Sequence, residues 1–148
     1  EVIKKTTGKD ITNYPGAGAA GGMGGGLLAF FNAELKPGTE LLLKAIDFSE
    51  KIKGADLIIT GEGKADRQTA MGKVPYGILK EAQKEHIPVI VLAGSIENLP
   101  ELNKAGFKGI FSIAPGPITL EKAMEPEFAK ENITRLVSQL YSVITSFG

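Results

Sequence analysis

The chain has 148 residues, with 17 lysines and arginines against 17 aspartates and glutamates, so its formal net charge is zero and no bulk field draws it to nucleic acid or anionic lipid. It contains no cysteine, which excludes disulfides and thiolate chemistry and fits a cytoplasmic protein. No apolar run approaches the roughly 20 residues of a membrane-spanning helix, no signal-peptide h-region opens the chain, and the length suits one hydrophobic core rather than two.

In chain order, EVIKKTTGKD reads as the last turn of a helix entering a loop, and because a natural terminus rarely begins within an element, a segment upstream is expected to have been removed. Pro15 to Gly26, PGAGAAGGMGGG, is a glycine-rich loop that feeds a helix expected over Ala20 to Asn32, for which LLAFF supplies a packing face. Three continuous, β-rich apolar runs read as strands covered on both faces of a parallel sheet: Asp56 to Thr60, Pro88 to Ala93 and Gly109 to Ala114. Val74 to His86 is expected to be helical, with Lys84 and His86 suited to its carboxyl end. Leu99 to Ala105 is a shorter helix closed by Gly106 at the C′ position. Pro115 and Pro117 stop the third strand, and Thr119 with Lys122 begins a short helix. Glu125 to Phe147 places Phe128, Ile133, Leu136, Val137, Leu140, Tyr141, Ile144 and Phe147 at helical spacing, one apolar stripe expected to pack along the sheet. Strands alternating with helices over short connections predict an α/β fold: a three-layer α/β/α sandwich with a mainly parallel sheet, Rossmann-like or flavodoxin-like. Residues 1–148 are read as a single α/β domain or part of one.

Two segments carry the candidate chemistry. Thr60 to Thr69, TGEGKADRQT, follows the first strand, where open α/β sheets collect their ligands. Gly61 and Gly63 permit positive φ and would let a loop aim Glu62 back over the strand end, with Asp66 four residues on. Glu62, Asp66, Lys64, Arg67 and Lys73 are the residue types a phosphotransferase needs: a carboxylate near the acceptor hydroxyl and cations around the phosphates. The plainer reading is a solvated loop with internal ion pairs. In Pro15 to Gly26 the glycines expose backbone N–H groups at a helix N-terminus, which binds phosphate or carboxylate; the plainer reading is close packing of a helix on its neighbour. Neither a Walker lysine nor a preceding strand accompanies them. Gly94 and Ser95, and Pro115-Gly116-Pro117, follow the other two strands and could line the same crevice. His86 reads as a dipole partner at a helix end rather than a general base. Without cysteine or a histidine pair no transition-metal site is indicated, while carboxylate-bound Mg²⁺ stays open.

PGAGAAGGMGGGLLAFFNAEL, KGADLIITGEGKADRQTAMGKVPYGI, PVIVLAGS and FSIAPGPITLEKAM, in this order and spacing over nearly the whole chain, resemble the carboxyl-terminal part of the bacterial type-1 glycerate kinases. The resemblance implies ATP-dependent phosphorylation of D-glycerate, usually at the 2-hydroxyl, with Mg²⁺, by a two-lobed protein more than twice this length. The family's amino-terminal Ser-Phe-Lys-Gly-Ser and Asp-Gly-Gly-Glu-Gly loops have no match here, so the chain by itself is expected to be inactive and to need a missing amino-terminal segment. The family's motif falls on Thr60, Gly61, Glu62, Gly63, Asp66, Gln68, Thr69, Gly72 and Lys73, and its glycine-rich loop on Gly16, Gly18, Gly21 and Gly22. Lys64 stands where arginine is common, which keeps the charge and loses the planar fork.

The roles that follow are Asp66 orienting or deprotonating the glycerate hydroxyl, Glu62 organising Mg²⁺ or the loop, and Lys73 facing phosphate charge, with a carboxylate or phosphate against the N–H groups of Gly18 to Gly22. A homodimer is possible. Two other readings remain: a noncatalytic α/β module that binds a small anion or nucleotide, and a dehydrogenase-type nucleotide domain, which would want its glycine fingerprint directly after a strand.

Overall fold

The computed structural model describes residues 1–31 and 33–146. Asn32 and Phe147, assigned from the sequence to the ends of two helices, lie outside the described residues. The chain divides into two compact units, Glu1–Leu42 and Leu43–Gly148.

In the first unit α1 (Val2–Thr7) ends at Gly8, whose φ of 73° lets its amide turn back to Lys4 O at 3.0 Å. This is the helix end that the opening residues indicated. The second helix, α2 (Ala19–Phe31), is regular only beyond Gly22, because Ala20, Gly21 and Gly22 adopt left-handed φ values of 50°, 67° and 94°. The expected start at Ala20 is therefore corrected by about one turn. Beyond the kink, glycine has a different purpose. A Cβ on Gly24 would meet Gly16 O at 2.4 Å, and one on Gly25 would meet Ile11 Cδ1 at 2.6 Å, so the incoming loop lies directly on the helix.

Two short helices that the sequence reading did not assign follow, α3 (Gly38–Ala45) and α4 (Phe48–Lys51). The second unit then alternates strand and helix: β1 (Ile58–Ala65), a 3₁₀ turn (Thr69–Met71), α5 (Val74–Lys84), β2 (Val89–Ile96), α6 (Leu99–Ala105), β3 (Gly109–Ser112), α7 (Leu120–Ala123) and α8 (Pro126–Thr145). The strands form a parallel sheet in the order β1-β2-β3, with Ile58 opposite Val89 and Ile90 opposite Gly109. Thus the α/β class and the parallel sheet hold.

Central β2 is buried from Val89 to Ala93, as its unbroken apolar run requires. On one face Val89, Val91 and Ala93 meet Leu79 and Ala82 of α5 and Leu102 of α6. On the other face Ile90 and Leu92 are buried, yet Ile59 is 45% exposed, so the cover there is uneven.

Several boundaries moved. Helix α5 stops at Lys84, and His86 lies exposed beyond it with φ 58°, outside the helix that was expected to contain it. Strand β3 stops at Ser112, where the Ser112 hydroxyl accepts the Ala114 amide at 3.2 Å and withdraws it from the ladder. Thr119 caps α7 by accepting from Lys122 N at 3.3 Å.

The long helix α8 departs most from expectation. Phe128, Leu136, Val137 and Leu140 are half-buried, but Ile133, Tyr141 and Ile144 are exposed, and its buried residue is Asn132, which donates to Phe128 O at 2.8 Å. The stripe is apolar without being covered along its length. Periodicity shows which face is apolar and does not supply the surface that buries it.

Leu102 is fully buried between α6 and the sheet. In urea denaturation, Leu102→Ala is expected to lower the unfolding free energy by about 2–5 kcal/mol, through lost burial and the cavity left behind.

Candidate functional site

Strand β1 does not end at Thr60. It pairs with β2 through Gly61, Glu62, Lys64 and Ala65, so the first half of TGEGKADRQT is sheet, not loop. Gly61 and Gly63 accordingly do not use positive φ, which corrects the loop geometry expected of them. The strand's alternation shifts near Gly63: Glu62 and Ala65, three positions apart, both turn toward the helix-covered side. Glycine suits this stretch for another reason, since a Cβ on Gly94 of β2 would meet Gly63 O at 2.7 Å.

Past Ala65 the chain makes a tight turn built on Asp66. Its Oδ1 accepts Gln68 N at 2.9 Å and Thr69 N at 3.4 Å, while its own amide donates to Thr69 Oγ1 at 3.0 Å. That hydroxyl then donates to Glu62 Oε2 at 2.6 Å. Thr69 is wholly buried and ties the two carboxylates to one point. After the 3₁₀ turn, Gly72 at φ 131° delivers Lys73 to the start of α5, where its carbonyl accepts Tyr76 N. From there Lys73 Nζ lies 3.0 Å from Glu62 Oε1 and 3.3 Å from Asp66 Oδ1.

The ammonium thus bridges both carboxylates, in a setting where Glu62 and Asp66 side chains are only 14% and 20% exposed. Desolvation alone would raise the Asp66 pKa, but the Lys73 hydrogen bond, the Gln68 and Thr69 amides and the Lys73 charge together hold it below the usual carboxylate range. Lys73 is pushed up, chiefly by its hydrogen bond to Glu62. Asp66 is therefore ionised at neutral pH and can only accept hydrogen bonds. Its Oδ2 has no protein donor among the described residues.

Beside this cluster, the carboxyl ends of the strands frame a cleft of about 790 Å³. Glu62, Gly63 and Lys64 line it from β1, Gly94 and Ser95 from β2, and Gly116 and Pro117 from the turn after β3. The expectation that these strand ends share one crevice is met within the second unit. Sequence reasoning missed its apolar wall, formed by Ile113, Ile118, Leu120 and Met124. Leu120 and Met124 are about 70% exposed, an unusual setting for side chains of that size, and nothing in TLEKAM by itself marks them.

A model of the glycerate kinase family matches residues 1–145. The chain belongs to the glycerate kinase family. It is 42% identical over 143 residues to a glycerate kinase of Bacillus cereus, covering 96% of this chain and 37% of that protein. Against the glycerate 2-kinase of Escherichia coli K12 the identity is 43% over 136 residues, covering 91% and 35%. A crystal structure assigned as a glycerate kinase 2 from Salmonella typhimurium LT2 superimposes with a TM-score of 0.66 at 35% identity, over 97% of this chain and 37% of that one. The chain therefore spans about a third of the length of the curated relatives it matches. Among the described residues no helix is long and apolar enough to cross a membrane.

The glycerate kinase motif residues divide by position. Glu62, Asp66, Thr69 and Lys73 come together. Thr60 is buried inside the sheet, and Gln68 contributes its backbone amide while its side chain is exposed. Lys64 leaves the cluster, pairing at 2.8 Å with Glu97, a residue the sequence reading did not single out. Arg67 is exposed. In the first unit Gly16, Gly21 and Gly22 adopt positive φ, whereas Gly18 does not. The amides of Ala19, Gly22 and Gly25 already donate within that loop, which reduces the set left for an anion.

Magnesium ligation by Glu62 does not fit this arrangement. One of its oxygens accepts Thr69 and the other holds the Lys73 ammonium, whereas Mg²⁺ needs carboxylate oxygens at about 2.0–2.1 Å. No cluster of three or more histidine, cysteine or acidic residues suited to a metal occurs among the described residues.

Replacing Thr69 with valine should cost about 1–3 kcal/mol in denaturant unfolding by leaving a buried acceptor and the Asp66 amide unpaired, while serine should recover most of it. The ionic cluster has a defined pH window. Since the folded pKa of Asp66 lies below its ordinary 3.8, its contribution to stability is complete above that value and lost as pH falls through the lowered pKa. For Lys73, raised above 10.5, the contribution is complete below that value and lost as pH climbs through the raised pKa. Urea midpoints measured against pH should show an acid limb that Asp66→Asn weakens and an alkaline limb that Lys73→Met weakens.

Proposed function

We propose that the complete polypeptide to which this chain belongs transfers the terminal phosphoryl group of ATP to D-glycerate, at the 2-hydroxyl, and that the Glu62–Lys73–Asp66 cluster forms part of the catalytic centre. The observation that carries this reading is an ammonium held between two carboxylates at the carboxyl end of a parallel strand, beside a cleft of ligand size. A glycerate 2-kinase among the relatives supports the choice of hydroxyl.

The parts have distinct tasks. Asp66 Oδ2 accepts the hydrogen bond of the attacking hydroxyl and orients it. Its lowered pKa makes it a weak base, so positioning outweighs proton removal, in keeping with phosphoryl transfer through a loose transition state. Lys73, held at the amino end of α5, presents its positive charge to the moving phosphoryl group. Glu62 fixes Lys73 from one side, and Thr69 fixes Glu62. In the first unit, Gly16, Gly18, Gly21 and Gly22 form an exposed turn whose remaining amides suit a carboxylate or phosphate oxygen. The chain by itself, a third of its relatives' length, is expected to be inactive.

In the complete protein, Asp66→Asn should lower kcat for D-glycerate phosphorylation by about 100-fold or more, measured at a temperature where its circular dichroism shows it folded. Near-normal turnover would remove Asp66 from the acceptor role. Lys73→Ala should lower kcat by a similar factor; unchanged kinetics would remove the phosphate role.

A further inference from the structure

The cleft is too large and too apolar on one side to be explained by glycerate. Its volume of about 790 Å³ lies in the range of sites for drug-sized ligands and cofactors, roughly 300–1,000 Å³. Its two sides also differ. Toward β1 it carries Glu62 and Lys64, and on the opposite side Ile113, Ile118, Leu120 and Met124.

The polar side chains on its lining are almost all committed. Lys64 pairs with Glu97, Thr119 caps α7, and Glu62 holds Thr69 and Lys73, which leaves Ser95. A small hydroxy acid placed against that wall would have a carboxylate and hydroxyls facing methyl groups, with the desolvation cost that this entails. A flat ring can lay its apolar face on the wall and keep its polar edge away from it. Gly116 adds an open approach, since a Cβ there would meet nothing within 4 Å. The lining contains no aromatic side chain, so a ring would lie between aliphatic groups.

We propose that this cleft binds the base and ribose of the nucleotide, with the purine against Ile118, Leu120 and Met124 and the phosphates directed toward the β1 end, where Lys73 stands. The inference rests on the kinase reading above and adds which part of the chain receives the nucleotide. The apolar wall lies after β3, while the β1 end carries Glu62 and Lys64, and the positive charge for a phosphate there comes from Lys73, which is held on Glu62 at 3.0 Å just beyond the lining. Ser95 is the side chain available to the ribose or the ring edge.

The test uses the complete kinase polypeptide and a non-hydrolysable ATP analogue, titrated by calorimetry alongside D-glycerate. Met124→Glu and Leu120→Glu alter exposed positions, so both should fold. Each is expected to raise the analogue's Kd about tenfold or more, equivalent to about 1.4 kcal/mol, and to leave the D-glycerate Kd within about twofold, while Met124→Leu binds the analogue normally. If both glutamate variants bind the analogue as the parent does, the proposal is overturned, and a shift in thermal stability alone would identify the cleft as a seat for another part of the polypeptide. If the parent binds the analogue, the variants lose it and the parent itself transfers no phosphate from ATP to D-glycerate, the cleft assignment stands and the glycerate reading fails. If phosphorylation proceeds normally in the variants with unchanged nucleotide affinity, the reverse holds.

Discussion

The pairing of β1 with β2 continues beyond the apolar residues that begin it, and the candidate site depends on that continuation. Ile58 to Thr60 pair with the buried Val89 to Val91, and the same ladder carries Glu62 and Lys64 to positions opposite Ala93 and Ser95. A strand fixes direction and spacing more tightly than a loop. Glu62 therefore sits at a set height over the helix-covered side, where the buried hydroxyl of Thr69 meets it and Lys73 reaches it from α5.

The electrostatics follow from this placement. Two carboxylates brought close together in a partly desolvated setting would normally push one pKa upward. Here a bridging ammonium and two backbone amides reverse that tendency at Asp66. The cluster is thus charged and ordered before any ligand arrives, which is the condition for stabilising charge without reorganisation. It also explains the poor fit of a metal to Glu62, because the lysine already stands where a cation would.

The glycines separate into two physical groups that look alike in the sequence. Gly24, Gly25 and Gly94 are needed because a backbone carbonyl or a side chain occupies the place of a Cβ. Gly21, Gly22 and Gly72 instead have open space around them and left-handed or positive φ, so their use is conformational. Close packing thus accounts for Gly24 and Gly25, while Gly21 and Gly22 of the same run shape an exposed turn.

The sequence by itself determined the α/β class, the three parallel strands, the bounds of α6, the cap on α7 and the family, because apolar runs, capping residues and an ordered set of motifs are local properties of the chain. By residue type it also picked out Glu62, Asp66 and Lys73, together with Lys64 and Arg67, which stand apart from the cluster, while Thr69 entered through the family motif. Only the tertiary structure decided what those residues do to one another. That Glu62 lies on a strand, that Lys64 turns to Glu97, that Thr69 is buried between two carboxylates and that Met124 joins Ile113 on a cleft wall all depend on strand register and on contacts between distant segments. The apolar stripe of α8 marks the same boundary. Helical spacing revealed its face, and only a neighbouring surface determines how much of that face leaves water.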